Sequence, residues 1–207
     1  MEDVIRLPEP ERAGGLPIWT VIAKRRTVRK YRPMPLDLST VSQLLWACAG
    51  ISGERAAFRT SPSAGARHPA ATLLVANNVT GLNPGIYRYD PVAHGLLRVA
   101  EGSYGARLRG ACLDQEMLEA APAVFAWNVT PERTTGRYGE RGKRYIPMDL
   151  GHICQNLYLA ATALGLGCCA VGAFSDAQVN SVFGVDGVNE AILYMATVGF
   201  PVDARSQ

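Results

Sequence analysis

The sequence lacks any apolar run long enough to cross a membrane. A bilayer-spanning helix needs about 20 consecutive apolar residues, and no stretch of this 207-residue chain approaches that length. The first residues, Met-Glu-Asp-Val-Ile-Arg, do not have the pattern of a secretory signal peptide. We therefore expect no membrane partner and a cytoplasmic protein.

Cysteine and histidine are also scarce. The five cysteines are an odd number, none belongs to a Cys-x-x-Cys pair, and the three histidines are widely separated. Zinc sites and disulfide frameworks need several such residues at short spacings. The sequence therefore predicts neither a metal site nor a disulfide scaffold, and a reducing cytoplasm is the simplest compartment.

A strong excess of one charge sign is missing as well. Lys and Arg together number 21 against 18 Asp and Glu, and the net charge of +3 does not indicate a nucleic-acid partner. Walker, G-x-G-x-x-G, G-x-S-x-G and H-E-x-x-H motifs are absent, which disfavours P-loop, Rossmann, α/β-hydrolase and zinc-protease functions. The composition is that of one globular domain, predicted at 18–207, after an arm at 1–17 that is rich in Pro and Gly.

Hydrophobic spacing and turn residues predict a mixture of helices and strands. Helices are expected from Ile18 through the basic run to Arg32, from the Asp37 cap to Gly50, and over 103–119 and 148–166, with a last one opened by a capping box at 175–178. Strands are expected over 71–76, 85–89, 96–99, 123–129 and 192–200. Because the order has no βαβ regularity, the pattern favours an α+β fold.

The basic run at 24–32 is the first candidate site, because six of its nine residues are cationic. On a helix, Arg25 and Arg29 would share one face, with Arg26 and Thr27 beside them. Guanidinium groups bind phosphate in bidentate fashion. The residues alone leave two interpretations open, a phosphate site or a solvated basic face.

Three further segments carry candidate functional residues. The loop at 61–69 consists mainly of small residues that could pass over a flat ligand or could simply lie at the surface. The glycine-rich segment at 165–174 could turn its backbone N–H groups toward an electron-rich atom. Asp149, His152 and Asn156 form a polar stripe on an otherwise apolar helix, which we expect to face a ligand, a subunit or a hydrogen-bond network.

In this order, the segments resemble the nitroreductase-like FMN flavoprotein superfamily, and some resemble its azoline-dehydrogenase (SagB-type) branch. The superfamily motifs are 25–31, 61–65 and 165–174. The motifs of the branch are 84–90, 138–142 and 151–160. The resemblance extends over about residues 18–201.

The resemblance implies an α+β protein with a central antiparallel sheet wrapped by helices, and a homodimer with FMN at the subunit interface. It assigns the FMN phosphate and ribityl chain to Arg25, Arg26, Thr27 and Arg29, with Arg205 as a further cation after the last strand. Ser61, Pro62, Ser63 and Ala64 would reach the flavin from the partner subunit, and Gln155 would also belong to the cofactor site. A turn formed by Ala170, Val171, Gly172 and Ala173 would lie against the isoalloxazine, with N–H groups near its N5 edge.

The resemblance thus implies an FMN-dependent oxidoreductase. NAD(P)H would give a hydride to the flavin, and a small oxidised compound, such as a nitro compound or quinone in vitro, would then take it. Two alternatives are a dehydrogenase acting on azoline rings of a modified peptide, and a flavin-binding or delivery protein without turnover.

Arg137 and Tyr138 are the candidate catalytic residues, because they stand where the azoline branch often has a Lys-Tyr pair. Azoline oxidation needs a base, and a guanidinium group stays protonated in proteins. Because Arg137 stands in place of that Lys, the sequence predicts reductase activity without efficient azoline dehydrogenation.

Overall fold

The computed structural model describes residues 4–55 and 58–202, and every structural statement below concerns these residues. Its strands are β1 Ile5–Arg6, β2 Ala70–Ala76, β3 Gly85–Asp90, β4 Gly95–Glu101, β5 Ala123–Val129, β6 Gly167–Val171 and β7 Ala191–Gly199. Its helices are α1 Ile18–Lys24, α2 Leu38–Ala49, α3 Gly105–Ala111, α4 Met117–Ala120, α5 Glu132–Tyr138, α6 Gly142–Ala163 and α7 Asp176–Phe183.

The seven strands form one sheet in the order β1-β4-β3-β2-β5-β7-β6, and every neighbouring pair is antiparallel. Strand β5 is central, and Phe125 and Trp127 on it are fully buried. One face of the sheet packs on α2 and α6, and the other packs on α3, α4 and α7. A strand covered on both faces is apolar along most of its length, as β5 is from Ala123 to Trp127. The predicted α+β fold with a central antiparallel sheet is confirmed.

The prediction of a long first helix through the basic run is wrong. Helix α1 ends at Lys24, and the chain then runs in extended form beside β6, where Thr27 forms a parallel bridge with Cys168. The N–H of Val28 donates to the carbonyl of Cys168 at 2.9 Å, and Val28 is buried. A β-branched Thr-Val pair favours extended backbone. Pairing with an edge strand therefore outweighs the helical propensity of the cations.

Several other boundaries differ from the prediction. The segment at 103–119 forms two short helices rather than one, because Leu113 and Asp114 take positive φ values between them. Helix α6 begins at Gly142 instead of Met148 and accommodates Pro147, and the polar segment before it contains α5. Pro147 is the sixth residue of α6, so its missing N–H costs the helix one hydrogen bond, to the carbonyl of Lys143. Ser175 is the N-cap of α7 as predicted, but its side chain makes no capping hydrogen bond.

The N-terminal arm lies along the domain. Its strand β1 pairs with β4, and Leu7 is buried. The carbonyl of Pro8 accepts a hydrogen bond from the Ser42 hydroxyl, and the Gln43 amide is bonded to the backbone of Glu11 in both directions, at 2.8 and 3.0 Å. The arm therefore contains one short strand that the sequence did not predict, and its boundary at residue 17 stays a prediction.

Within the described ranges, no helix combines the length and apolar character that a membrane crossing requires.

Candidate functional site

Tyr158 on α6 connects the basic segment to β6. Its hydroxyl lies 3.2 Å from Oγ1 of Thr27 and accepts a hydrogen bond from the N–H of Ala170 at 2.8 Å. The guanidinium group of Arg25 stacks over the tyrosine ring at 5.5 Å. Burial raises the pKa of Tyr158, so the hydroxyl is neutral and can both accept and donate. The sequence did not predict a role for Tyr158, although the residue lies in the segment 151–160 that resembles the azoline-dehydrogenase branch.

The cations of the basic segment lie along β6. The pKa of Cys168 is raised by burial and lowered in part by the charge of Arg25, and the pKa of Cys169 responds in the same two ways to burial and to Arg29. No carboxylate among the described residues forms an ion pair with Arg25 or Arg29. Arg26 differs, because its guanidinium group donates to the carbonyls of Ala23 and Arg25 at the end of α1. Two guanidinium groups and the Thr27 hydroxyl are thus available to an anion.

The end of β6 presents backbone and small side chains to the same region. Ala170 and Val171 belong to this strand and not to a turn, which corrects the prediction, while Gly172 and Ala173 follow it and are exposed. The N–H of Ala170 points to Tyr158, away from β7. Because strand geometry repeats every two residues, the N–H of Gly172 continues the same edge. Cations, a hydroxyl and a small-residue backbone edge together fit a phosphate-bearing flat ligand such as FMN.

A second cluster surrounds Asp149, which is buried with 3% of its surface exposed. Its carboxylate accepts hydrogen bonds from the Ser63 hydroxyl at 2.7 Å and from the N–H of Ala64 at 3.1 Å. The Ser61 hydroxyl donates to the carbonyl of Cys48 at 2.7 Å, while Pro62 is exposed. The loop at 61–69 is therefore fixed by hydrogen bonds from its first residues to the buried Asp149 and to the end of α2.

The polar stripe on α6 serves mainly this hydrogen-bond network. Asn156 donates to the carbonyls of Ala47 and Thr60 at 3.1 and 3.0 Å, which ties α6 to the start of the loop. His152 is exposed and lies outside the network. Two of the three stripe residues therefore follow the network interpretation.

Arg137 and Tyr138 lie beside the same loop, at the end of α5. Arg137 is exposed, Tyr138 is half-buried, and the guanidinium group lies 5.4 Å from the ring centre. Gly65 has φ of +56°, and a Cβ there would collide with the Tyr138 hydroxyl. Only glycine meets both requirements at this position. The candidate catalytic pair therefore adjoins the loop predicted to meet the flavin.

The two clusters lie on different parts of α6. Asp149 and Tyr158 are nine residues apart, which on an α-helix corresponds to roughly 13 Å along the axis and about half a turn around it. Gln155 is exposed on α6 and contacts neither cluster through a hydrogen bond found in the described residues. Arg205 lies outside the described residues. Apart from these two, the structure gathers most of the predicted residues into two separate groups.

The cysteine thiols are not candidate nucleophiles. All five are buried and unpaired. Burial raises the pKa of Cys112 to about 11 and of Cys154 to about 12, and raises that of Cys168 well above its ordinary value. A protonated thiol is a poor nucleophile. Within the described residues no group of His, Cys, Asp and Glu side chains is arranged to hold a metal ion.

Comparison with known proteins identifies the family. The model of the nitroreductase family matches residues 22–200. The chain belongs to the nitroreductase family. A relative from Methanocaldococcus jannaschii, named for the same family, is 40% identical over 178 residues, which cover 86% of this chain and 88% of the relative. A solved structure from Ralstonia eutropha, also named as a nitroreductase, has a TM-score of 0.81 and 27% identity, with 97% of this chain and 90% of that chain covered.

Two further matches are named for trifolitoxin processing and for microcin synthesis. The trifolitoxin-processing protein TfxB of Rhizobium leguminosarum bv. trifolii is 35% identical over 131 residues, which are 60% of this chain but only 35% of that protein. The microcin synthetase McbBCD complex of E. coli has a TM-score of 0.76 at 22% identity, covering 98% of this chain and 79% of that chain. At this identity the second likeness concerns the fold alone.

An FMN complex is among the similar structures. A nitroreductase from Desulfovibrio desulfuricans in complex with FMN has a TM-score of 0.66 and 17% identity, covering 94% of this chain and 91% of that chain. Together the family model and the Methanocaldococcus relative confirm the resemblance and the enzyme class: the protein is an oxidoreductase of the nitroreductase family.

Proposed function

We propose that the protein transfers hydride from NAD(P)H, through bound FMN, to a small oxidised acceptor such as a nitro compound or a quinone. The observation that carries the proposal is the position of Arg25 and Thr27, free of carboxylate partners among the described residues and joined through Tyr158 to the end of β6. When bound, FMN would supply two-electron redox chemistry at its N5 atom. The chain's own residues hold and orient the reactants.

The roles of these residues follow from their chemistry. Arg25 and Arg29 would neutralise the phosphate, and the Thr27 hydroxyl would donate to it. The N–H of Gly172, with Ala173 beside it, would face the electron-rich edge of the bound ring system and stabilise negative charge there. Tyr158 positions both segments, because one hydroxyl is bonded to Thr27 and to Ala170.

The purified holoenzyme tests this function directly. We expect a yellow protein whose released cofactor is FMN rather than FAD, bleaching of the flavin by NADH or NADPH without oxygen, and recovery of the colour with a nitro compound or quinone. Colourless protein that FMN cannot reconstitute would refute the cofactor assignment. Bound flavin that neither nicotinamide reduces would refute the proposed reaction.

A Tyr158→Phe variant tests the positioning role. Removing the hydroxyl leaves the N–H of Ala170 without its acceptor, so we expect FMN to bind roughly 5- to 10-fold more weakly, in line with the loss of about 1 kcal/mol for one hydrogen bond. Equilibrium titration of the apoprotein with FMN measures the change. Tyr104→Phe, on a tyrosine before α3, is the matched control and should leave the affinity unchanged.

We further propose that the enzyme is a homodimer whose two chains share each FMN site. The clusters around Asp149 and Tyr158 lie about half a turn apart on α6, so a second copy would be needed to bring one chain's loop at 61–64 to the other chain's Tyr158. Apolar side chains stand exposed nearby, including Trp19 at 79% and Met148 at 49%. Such surfaces commonly mark interfaces.

Sedimentation tests the dimer. At micromolar concentration we expect a dimer with one FMN per chain and, from a permanent interface, more than ~2,000 Å² of buried surface. Trp19→Asp should shift the protein toward monomers and release flavin, because it places a charge in the proposed interface. Val92→Asp, at a residue 71% exposed in the β3–β4 turn, is the matched control. A flavin-loaded monomer would contradict both the dimer and the shared site.

A second candidate function is azoline dehydrogenation, which the position of Tyr138 beside Gly65 favours. The likeness to a protein named for trifolitoxin processing also supports it. We nevertheless expect little such activity, because Arg137 cannot accept the proton that leaves the ring carbon.

Anaerobic single-turnover flavin reduction by an azoline-containing peptide measures this activity. We expect slow bleaching by the wild-type enzyme and at most a modest gain in Arg137→Lys. Rapid bleaching that disappears in Tyr138→Phe would establish the dehydrogenase instead and would show Tyr138 to be the base.

A further inference from the structure

Two arginines and two tyrosines form a continuous array where α5 meets α6. Arg137 lies over the ring of Tyr138, the rings of Tyr138 and Tyr145 meet edge to face at 5.2 Å, and Arg141 lies 6.0 Å from the centre of the Tyr145 ring. The Nε of Arg141 also donates to the Tyr145 hydroxyl at 3.2 Å. These four residues are called the arginine–tyrosine array below.

The segment that contains the array carries an excess of positive charge. Residues 132–144 contain five Lys or Arg and two Glu, an excess of three that equals the net charge of the whole protein. The two carboxylates do not neutralise the array, since Glu140 is paired with Lys143 at 2.9 Å, and Glu132 accepts from Thr135. Among the described residues, neither Arg137 nor Arg141 has a carboxylate partner.

More cations surround the array. Arg67 donates from Nε to the carbonyl of Arg133 at 2.8 Å. This hydrogen bond joins the loop at 61–69 to α5, and the positive charges of both arginines lie at that junction. The pKa of Arg59 is lowered by burial and by the charge of Arg133. Clustered like charges repel each other, and a bound anion removes that cost.

The array also touches the loop of the proposed flavin site. The Tyr138 hydroxyl lies against Gly65, one residue after the Ala64 that Asp149 holds. Guanidinium forks bind carboxylates in bidentate fashion, and an aromatic face accepts a planar ring. We propose that the arginine–tyrosine array binds the carboxylate of a planar acceptor, so that the preferred substrates are aromatic or conjugated carboxylic acids.

This proposal rests on the proposed function, and its first experiment needs no turnover. Isothermal titration of the holoenzyme with benzoate and with neutral benzamide compares ligands that differ mainly in charge. We expect benzoate to bind at least tenfold more tightly, and its advantage to shrink when KCl is raised from 0.05 to 0.5 M. Arg141→Gln should remove most of this advantage. Arg107→Gln, at an arginine that lies over Tyr104 outside the site, should keep it.

The second experiment compares 4-nitrobenzoate with nitrobenzene as acceptors for the reduced enzyme. We expect a kcat/KM ratio of at least ten in favour of 4-nitrobenzoate, carried by KM, and a ratio near one in Arg141→Gln. If neither acceptor reoxidises the flavin while benzoate still binds selectively, the proposed function fails and the anion site stands. Equal binding of benzoate and benzamide overturns the anion site, whatever the turnover.

The nicotinamide donor offers phosphates to the same chemistry, and a third measurement separates this source. Suppose that Arg141→Gln raises the KM for NADPH but not for a neutral dihydronicotinamide, and leaves benzoate binding unchanged. The array then binds the donor's phosphates. That result would overturn the proposal for the acceptor.

Discussion

Replacing Arg25 and Arg29 together by Ala is expected to yield a folded protein that no longer retains FMN. The two guanidinium groups lie along β6 with no carboxylate partner among the described residues, which is why we propose them as the countercharges for the flavin phosphate. Each hydrogen bond to a charged group contributes about 1.5–3 kcal/mol. Their joint loss should weaken FMN binding by a factor of about 100 or more.

Titration of the apoprotein with FMN, followed by fluorescence, gives this affinity. The matched control is the double variant Arg98→Ala with Arg107→Ala. It removes two surface guanidinium groups that lie on β4 and α3, outside the basic segment. Circular dichroism shows whether each variant is folded. An unchanged FMN affinity in the first variant would show that the phosphate lies elsewhere.

Removing the Asp149 carboxylate should cause the largest loss of stability among these variants. Asp149→Ala leaves the Ser63 hydroxyl and the N–H of Ala64 without the acceptor that now lies 2.7 and 3.1 Å away. Buried donors without partners cost about 1–3 kcal/mol each. We expect the free energy of unfolding to fall by about 3 kcal/mol, and the loop at 61–64 to lose its fixed conformation.

Urea denaturation measures the change in unfolding free energy. Asp90→Ala is the matched control, because the Asp90 carboxylate accepts from the N–H groups of Val92 and Ala93 at an exposed turn. Water can replace that acceptor, so the cost should stay near 1 kcal/mol. Equal losses in the two variants would mean that burial does not strengthen the Asp149 contacts.

Much of the fold was readable from local patterns. Helix α2 was predicted from its cap and its apolar spacing, and the Asp37 carboxylate indeed accepts from the N–H of Thr40. The runs that form β2, β5 and β7 are apolar and bounded by turn residues, so their bounds agree within one residue. Local signals suffice there because propensity, hydrophobic period and turn chemistry all favour the same structure.

The first helix shows where such signals fail. Lys and Arg favour helix, yet residues after Lys24 pair with the edge of β6, a strand about 140 positions later in the chain. A hydrogen bond between Val28 and Cys168 depends on the sheet order, which no local pattern contains. Arg25 and Thr27 nonetheless lie close together, as expected, because both contact Tyr158 from extended backbone.

The sequence by itself determined the family, because the resemblance depends on side-chain types in a particular order, and it supplied the cofactor and the candidate residues as predictions. Only the tertiary structure decided which of them meet. It placed Ser63 on Asp149 and Thr27 on Tyr158, on different parts of one helix, and it brought Tyr138 against Gly65. Contacts between residues this far apart in the chain are selected by how the helices pack on the sheet, and that packing is settled by the whole core rather than by any segment of it.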